Sequence, residues 1–460
     1  MSAATAEVVI CGAGIAGISA AYHLAVVHGM RDVALVDERA PLSLTSDKST
    51  ECYRNWWPGP GEAMVSLMNR SITMLEELAR TSGNAFHLNR RGYVFATADP
   101  NRIPDFKRAA EEAAALGAGP TRYHTGQPGD PEYVPAPMRG FEDQPTGADV
   151  ILDPALIRKC FPYLSEETIA VVHPRRCGWF SAQQLGMYLL ERAQERGVKL
   201  VQGHVEAVDT HAGRVQAVRV SGGNGSSRIS TRCFVNAAGP FIKDVAQLLG
   251  VDLPVYSERH VKVAFNDHLG LVPRAAPLLI WTDPVYLPFS EEERAELAQS
   301  DEDKHLLEQF PGGIHGRPEG GASSETVLLL WTYATQPVQP TFPLTFDPEY
   351  PEIALRGMAV MIPALSAYFN RMPKFFLDGG YYTKTRENRF LAGPLPVEGA
   401  YVIGAFSGYG LMAACGAGEL LAGHITGSPL PNYAQAFMLE RYADPEYQKL
   451  LENWGESGQL

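Results

Sequence analysis

The chain has 460 residues, of which 45% are hydrophobic and 20% are charged, and these proportions are ordinary for a globular protein. This length exceeds what a single hydrophobic core usually holds, so it predicts two domains, which can be interleaved. The net charge of −13 argues against nucleic acid or an anionic membrane surface as a partner.

Cysteine usage and the apolar runs bear on the compartment. The six cysteines form no CxxC pair and no metal-ligand spacing, so we expect no metal site and a reducing environment. The N-terminus has no basic region before an apolar stretch, and the apolar runs fall short of the ~20 residues that a membrane helix needs. We therefore expect a cytoplasmic protein without a membrane segment.

The first predicted elements form a βαβ unit. The apolar stretch 8–11 is typical of a buried parallel strand, a helix follows from about Ile15 to His28, and a second apolar strand over 33–36 ends in Asp37. The sequence GAGIAG over 12–17, a GxGxxG fingerprint, joins the first strand to the helix. Its glycines permit a tight turn, a close approach of backbone to a pyrophosphate, and close helix–strand packing.

The acidic residue after the second strand strengthens this signal. Asp37 follows Gly17 by 20 residues, where a carboxylate can accept hydrogen bonds from ribose hydroxyls. The start of the helix offers free amide donors and a positive dipole end to phosphates. The pattern predicts a dinucleotide site, and the alternative is a glycine turn in an unrelated α/β domain.

Dinucleotide-fold character returns near the end of the chain. A predicted strand over 401–404 leads through the glycine-rich stretch 404–412 into a helix of small residues. An NAD dehydrogenase needs no such return, whereas a helix start there can direct amides at the pyrimidine edge of a flavin. The sequence thus predicts FAD, unless this second turn is only structural. Between the two ends we predict helices over 64–79 and 183–196, a loop over 118–149, and strands over 92–95, 198–201, 205–208, 214–220 and 234–239.

Four segments resemble the D-amino-acid oxidase superfamily of flavoproteins, in its branch with monomeric sarcosine oxidase, glycine oxidase and dimethylglycine dehydrogenase. They are the fingerprint, 205–208 with NAAG over 236–239, YYTKT over 381–385, and GAFSGYGLM over 404–412. The resemblance spans nearly the whole chain and implies an α/β (α+β) fold of two domains. A Rossmann-like FAD-binding domain would be interleaved with a substrate domain, whose mixed β-sheet covers the flavin ring and shapes the substrate pocket.

We expect the FAD-binding domain to comprise residues 1–83, 150–250 and 378–440, and the substrate domain residues 84–149 and 251–377, before a C-terminal tail over 441–460. By the same resemblance, residues 45–50 would lie along the pyrophosphate, the ribityl chain and the ring, and Val205 would meet the adenine through its backbone. The predicted cofactor-binding residues are Gly12, Gly14, Ile15, Ala16, Gly17, Asp37, Glu38, Arg39, Thr45, Ser46, Lys48, Ser49, Thr50, Val205, Ala238, Gly239, Gly380, Gly408, Tyr409, Gly410, Leu411 and Met412.

The chain departs from these relatives at three positions. Their cysteine that bonds covalently to the flavin falls at Gly380, which implies non-covalent FAD. Their second carboxylate-binding lysine falls at Met412, and the lysine thought to activate oxygen falls at about Leu329, in a segment with few landmarks. Oxygen would then react slowly, or another group such as Lys48 would serve, so oxidase and dehydrogenase both stay open.

Arg54 matches the arginine by which sarcosine oxidase holds its substrate's carboxylate. A guanidinium is a permanent bidentate partner for a carboxylate; the alternative is an arginine that pairs with an acidic neighbour. Aromatic residues could line a larger pocket for a cationic or ring-bearing amine, unless they belong to the core. The predicted catalytic-site residues are Arg54, Tyr286, Tyr333, Tyr382 and Tyr409, with Trp331 as a further aromatic candidate.

These features together predict an FAD-dependent oxidoreductase that oxidises a C–N bond of a small amine or amino acid, in the first instance a secondary one. Hydride transfer to flavin N5 would give an imine, and O2 or another acceptor would take the electrons. The amine must be uncharged, which a dry pocket favours, and His260 could approach that pocket. The alternatives are a monooxygenase, against which the missing Gly-Asp motif counts, a hydroxy-acid dehydrogenase, or a non-catalytic flavoprotein subunit.

Overall fold

The computed structural model describes residues 4–57, 60–222, 225–452 and 454. Its first sheet, called the nucleotide sheet below, draws its six strands from the start, the middle and the end of the chain, as the sequence predicts. Five strands are parallel, and the edge strand Leu391–Pro394 runs antiparallel to its neighbour. The strands in spatial order are Lys199–Gln202, Val33–Asp37, Val8–Cys11, Phe234–Asn236, Ala400–Gly404 and Leu391–Pro394.

Helices of small residues pack closely beside this sheet. The first, Ile15–Tyr22, continues as a π-helical segment and contacts Ala182–Glu195 and Gly410–Thr426. A Cβ on Gly418 would lie 2.4 Å from Ser19 Oγ, so the two terminal helices approach closely because glycine leaves room. No described helix has the length and apolar character needed to cross a bilayer. The other α-helices are Ala63–Thr81, Ile103–Ala113, Pro154–Cys160, Ile242–Gln247, Glu291–Leu297, Tyr350–Met361 and Pro445–Glu452.

The second sheet, called the covering sheet below, has ten strands in mixed orientation. Side chains alternate between its two faces: Val263 and Leu329 pack against the helix Tyr350–Met361 in a core of their own, and the next residue along, Leu330, lines a cavity on the opposite face. The strands in spatial order are Phe375–Lys384, Tyr256–Asn266 (with Pro337–Val338 and Thr326–Leu330 along its other edge), Ile314–Pro318, Leu278–Trp281, Tyr93–Thr97, Ala170–Pro174, Ala148–Ile151 and Thr121–His124.

The covering sheet corrects three predictions. The stretch 118–149, predicted as a loop, contributes the strands Thr121–His124 and Ala148–Ile151. The predicted domain boundaries at 150 and 378 assign Ala170–Pro174 and most of Phe375–Lys384 to the FAD-binding domain. Both strands hydrogen-bond within the covering sheet, so the boundaries are wrong for them. Local sequence pattern marks where a strand lies, but long-range hydrogen bonds decide which sheet it joins.

Smaller sheets complete the fold. Cys52–Arg54 pairs antiparallel with Cys177–Trp179, so the strand that carries Arg54 is anchored from the middle of the chain. Val285–Tyr286 pairs with Gln309–Phe310. A four-stranded sheet is formed by Ala4–Thr5, Gly225–Ser230, Arg214–Gly222 and His204–His211.

The start of the predicted tail is an integral part of the structure, which corrects the prediction of a tail from residue 441. The Arg441 side chain is 3% exposed and donates to Glu387 Oε1 at 2.8 Å, and the Glu387 side chain is fully buried. The hydroxyls of Tyr442 and Tyr447 donate to the same oxygen at 2.8 and 2.9 Å. A buried carboxylate retains its charge only with such partners. Residues 453 and 455–460 lie outside the described residues.

Replacing Arg441 with methionine should lower the free energy of unfolding by about 3–5 kcal/mol, because the substitution leaves Glu387 charged, buried and without its main partner. Chemical denaturation by urea measures the change. The matched control is Arg214→Met, since the ion pair of Arg214 with Glu398 is 64% exposed on both sides and such pairs contribute at most about 1 kcal/mol. Equal effects of the two substitutions would contradict a structural role for the Arg441 pair.

The same pair should make stability depend on pH. Burial by itself would raise the pKa of Glu387, but Arg441 and the neighbouring hydroxyls hold that pKa below its ordinary value. A carboxyl group with a depressed folded-state pKa stabilises the fold above its unfolded pKa of about 4.3, and this contribution is lost as pH falls through the folded value. The difference in unfolding free energy between wild type and Arg441→Met should therefore shrink below about pH 4, as measured by urea titrations from pH 7 to 3.

Candidate active site

The glycine turn at the N-terminus adopts a conformation that only glycine fits. Gly12 has φ +110°, and a Cβ there would lie 2.3 Å from the carbonyl oxygen of Ala237. A Cβ on Gly17 would lie 1.9 Å from the carbonyl oxygen of Gly12, so the helix can begin against the turn only without one. The amide of Ile15 donates to Ser46 Oγ at 3.0 Å, which joins the turn to the 45–50 segment.

Two cavities extend from this turn along the ends of the parallel strands. The strand-end cavity lies where Asp37 terminates its strand, and there the Ala13 amide donates to Asp37 Oδ2 at 2.7 Å. The central cavity is bordered by both glycine turns, one from each end of the chain. Of the predicted cofactor residues, the strand-end cavity is lined by Gly12, Asp37, Glu38, Arg39, Val205 and Ala238, and the central cavity by Gly14, Ile15, Ala16, Thr45, Ser46, Ser49, Gly239, Gly408, Gly410 and Leu411.

A third cavity, called the chamber below, shares a wall with the central cavity. The shared residues are Ser49, Tyr382, Ser407 and Gly408. The chamber lies between the covering sheet and the segment 49–57, and it takes in the first residues of the helix Gly410–Thr426. Its remaining lining residues are Thr50, Cys52, Arg54, Trp57, Tyr93, His260, His315, Leu330, Thr332, Tyr409 and Met412.

Arg54 is a buried cation that faces the chamber without a counter-charge. Only 7% of the residue is exposed, and within residues 4–57, 60–222, 225–452 and 454 no carboxylate lies within 4 Å of its guanidinium. Its Nε has no hydrogen-bond partner, and the guanidinium stacks 4.4 Å from the centre of the Trp57 ring. Burial lowers the pKa of Arg54. Among the described residues, Arg54 therefore does not pair with an acidic neighbour, which was the alternative interpretation. Its guanidinium is available to bind an anion in the chamber.

Arg317 shows the contrast, because this arginine of the covering sheet is fully buried but is neutralised. Its guanidinium forms ion pairs with Glu319 and, at 3.5 Å, with Glu51, and its Nε donates to the carbonyl of Thr50 at 2.6 Å. These bonds engage the Arg317 guanidinium with residues next to the chamber. Arg54, by contrast, has no such ion pair among the described residues, and its guanidinium is available to a ligand.

Tyr382 and Tyr409 both line the chamber, in different ways. The Tyr382 ring stacks 3.9 Å from the His260 ring, so it presents a flat face to the site. The Tyr409 hydroxyl donates to the carbonyl of Asn388 and accepts from the Phe390 amide at 3.1 Å. Tyr409 therefore lines the chamber with its ring, and its hydroxyl is engaged in hydrogen bonds that stabilise the fold.

Two other predicted catalytic-site residues lie elsewhere. Tyr286 is 57% exposed on its short outer strand, which corrects the prediction that it lines the pocket. Tyr333 packs against Trp331 and Tyr350 at a separate outer cleft, so it too lies outside the chamber. The prediction that Tyr286 and Tyr333 line the pocket rests on residue type alone, and an aromatic side chain suits a hydrophobic core as well as a binding site.

The lysine predictions also need correction. Lys48 forms ion pairs of 3.1 Å with Asp47 and with Asp378 and lines none of the three cavities. Burial alone would lower the pKa of Lys48, but these two carboxylates raise it. The position that faces the chamber on its strand is Leu330, and Leu329 points into the other core. Leu329, the position predicted to match the relatives' lysine, therefore does not face the chamber.

Some remaining predictions fall beside the cavities. Gly17 packs against the glycine turn. A Cβ on Gly380 would touch Lys48 and Thr45 at 3.2 and 3.3 Å, so Gly380 packs against the 45–50 segment. Thr50 and Met412 line the chamber. Sequence reasoning missed Trp57, Tyr93, His315 and Thr332. For Tyr93 and His315 the only local signal is a polar or aromatic residue at every second position of a strand, as in Ile314–Pro318. Trp57 and Thr332 lie just beyond strand ends and carry no such signal.

Comparisons with known proteins agree with this geometry. The family model described as DAO, FAD dependent oxidoreductase, matches residues 7–424. Mitochondrial dimethylglycine dehydrogenase of Mus musculus is 23% identical over 424 residues, which are 91% of this chain and 42% of the relative. The chain thus spans less than half the length of the curated relative.

Solved structures share the fold. L-proline dehydrogenase from P. horikoshii superposes with a TM-score of 0.73 at 19% identity, covering 96% of this chain and 98% of that one. Glycine oxidase from Bacillus cereus gives a TM-score of 0.67 at 16% identity, covering 95% and 98%. Both alignments extend over nearly all of each chain, so the two-sheet architecture is common to all three proteins.

Proposed function

Because the chain belongs to the DAO family of FAD-dependent oxidoreductases, we propose that it oxidises the carbon–nitrogen bond of a small amino acid that carries a free carboxylate. The observation that carries this proposal is Arg54. It is a buried guanidinium in the chamber that adjoins the central cavity, and no carboxylate of the described residues lies within 4 Å of it. A carboxylate fits a guanidinium through two parallel hydrogen bonds.

The cavities suit FAD in shape and in chemistry. The central cavity begins at the N-terminus of the helix Ile15–Tyr22, which is bare of side chains at Gly14 and suits a pyrophosphate. Asp37 in the strand-end cavity would accept the ribose hydroxyls. Bound FAD supplies the acceptor for the hydride that leaves the carbon next to nitrogen. We propose that it is held without a covalent bond, since Gly380 offers no side chain where relatives have a cysteine.

The chain's own residues prepare the substrate. Arg54 would hold the carboxylate and so fix the position of the carbon to be oxidised. Tyr93, Tyr382 and Leu330 would exclude water from that carbon. A dry wall disfavours the ammonium form and favours the uncharged amine that can release hydride. The imine product would then hydrolyse in water, unless it is cyclic.

The acceptor of the electrons is O2 or another oxidant, and the proposed compartment is the cytoplasm. In support of the latter, all six cysteines have free thiols, as a reducing environment maintains. Which acceptor reacts depends on whether another group replaces the relatives' oxygen-activating lysine. Lys48 would not replace it, because two carboxylates bind the Lys48 side chain.

The test is anaerobic reduction of the purified flavoprotein. Glycine, sarcosine, L-proline, iminodiacetate and N,N-dimethylglycine are each mixed with the oxidised enzyme, and bleaching is followed near 450 nm. At least one amino acid should bleach the flavin, whereas lactate and glycolate should not, and hydrogen peroxide on re-aeration would mark an oxidase. Reduction by hydroxy acids alone would point to the hydroxy-acid alternative, and reduction by none of them would reject the proposal.

A further inference from the structure

Two imidazole rings line the chamber, and their nitrogens are used differently. His260 is engaged at both: Nε2 lies 3.3 Å from Glu258 Oε2, and Nδ1 lies 3.1 Å from Thr332 Oγ1. His315 is engaged at one: Nδ1 lies 2.9 Å from the carbonyl oxygen of Gly313, and Nε2 has no hydrogen-bond partner among the described residues. His315 is therefore the imidazole in the chamber with a nitrogen left for a ligand.

The Gly313 carbonyl fixes the tautomer of His315. A carbonyl oxygen only accepts, so Nδ1 carries the hydrogen and donates it. In an uncharged ring, Nε2 then has a lone pair and is an acceptor. Burial, and to a lesser extent the nearby Arg54 and His260, lower the pKa of His315 to about 4, although the Gly313 carbonyl opposes this shift. At neutral pH Arg54 is thus a cation in the chamber, and His315 is a neutral acceptor.

These two groups match the two ends of an α-amino acid. The carboxylate and the nitrogen of such a molecule are separated by one carbon. Arg54 and His315 line the same chamber, and the charge of Arg54 acts on His315. An acceptor beside the nitrogen can receive an N–H from it, whereas a cation there would repel an ammonium. The acceptor would also remain without a partner if the nitrogen carried no hydrogen, which costs free energy in a buried site.

We propose that Nε2 of His315 accepts a hydrogen bond from the N–H of the substrate's uncharged amine and so selects primary and secondary amino acids over tertiary ones. This inference rests on the proposed function and narrows it. An uncharged tertiary amine has no N–H to donate. It could satisfy His315 only as an ammonium ion, which cannot release hydride. His315 is thus a positioning residue for the nitrogen, as Arg54 is for the carboxylate.

Two variants separate this role from a purely structural one. In His315→Asn the amide nitrogen can replace Nδ1 as the donor to Gly313, and the acceptor towards the chamber is lost. In His315→Gln the amide oxygen reaches the position of Nε2 and restores that acceptor. Binding is measured as a change in the absorbance of the oxidised flavin, with two matched ligand pairs: sarcosine and methoxyacetate, and L-proline and tetrahydro-2-furoate. Each pair keeps the carboxylate and exchanges N–H for oxygen.

His315→Asn should weaken the binding of sarcosine or L-proline about tenfold, as expected for the loss of one hydrogen bond, and leave the oxygen analogues within about twofold. His315→Gln should recover most of the loss. Wild-type enzyme should reduce its flavin faster with sarcosine than with N,N-dimethylglycine. Equal weakening of both members of a pair, unchanged binding of the amines, or faster reduction by the tertiary amine would overturn the assignment of His315 while leaving the proposed function intact. If no amino acid reduces the wild-type flavin, both fall.

Discussion

Arg54→Ala is expected to raise the KM for an amino-acid substrate by about two orders of magnitude while the flavin remains bound. The guanidinium is buried and lacks a carboxylate partner among the described residues, so its hydrogen bonds are available to the ligand. Hydrogen bonds between charged groups contribute about 1.5–3 kcal/mol each, and a loss of about 3 kcal/mol corresponds to roughly 100-fold in binding. Steady-state kinetics with the amino acid that reduces the wild-type flavin provides the measurement.

Controls make this result specific. Arg54→Lys should restore only part of the affinity, because an ammonium offers no planar fork and loses its proton readily when buried. Arg70→Ala removes an arginine whose ion pair with Glu419 is at the surface, where the Arg70 side chain is 42% exposed, and should leave KM unchanged. An unaltered KM in Arg54→Ala, with normal flavin content, would remove the carboxylate from the proposed substrate.

Gly14→Val is expected to yield folded protein that binds FAD at least about 100-fold more weakly. Gly14 has φ −75° and ψ 179°, a conformation that valine adopts freely. The only atom within 4 Å of a Cβ there, outside the adjoining residues, is Ser46 Oγ at 3.2 Å, so the fold accepts the change once this side chain shifts by a few tenths of an ångström. The two added methyl groups would occupy the central cavity at the start of the helix Ile15–Tyr22, where a pyrophosphate would bind.

Flavin content and thermal unfolding report on this change together. Purified Gly14→Val should show little absorbance near 450 nm, and added FAD should raise the melting temperature of wild-type apoprotein but not that of the variant. Gly321→Val is the matched control, because Gly321 has open space around it and no left-handed φ. A full complement of flavin in Gly14→Val would place the pyrophosphate elsewhere.

The order of the cofactor elements could be read from the sequence because they are local. A glycine turn and the helix that follows it are contiguous in the chain. Gly17 is required by a contact within that unit, with the carbonyl oxygen of Gly12, and Gly12 has a positive φ of 110° that favours glycine. Asp37 ends the neighbouring parallel strand, so its position follows from the strand pattern. The sequence also placed the second turn, at 404–412, beside the first.

The chamber was only partly predictable because its residues come from strands far apart in the chain. Arg54 was found by resemblance, but His315 and Tyr93 meet it only through the pairing of Ile314–Pro318 and Tyr93–Thr97 with Leu278–Trp281. Residue type alone misled for Tyr286, whose strand lies at the surface. Lys48 was misjudged because its partner Asp378 is 330 residues away.

Sequence by itself determined the cofactor class and the two glycine turns that we propose hold it, since these turns depend on backbone conformations that neighbouring residues impose. The tertiary structure alone decided which side chains face the chamber. In a β-sheet adjacent residues point to opposite faces, so a shift of one position exchanges Leu330 in the chamber for Leu329 in the core. That register is set by hydrogen bonds and packing between distant strands, which no local pattern records.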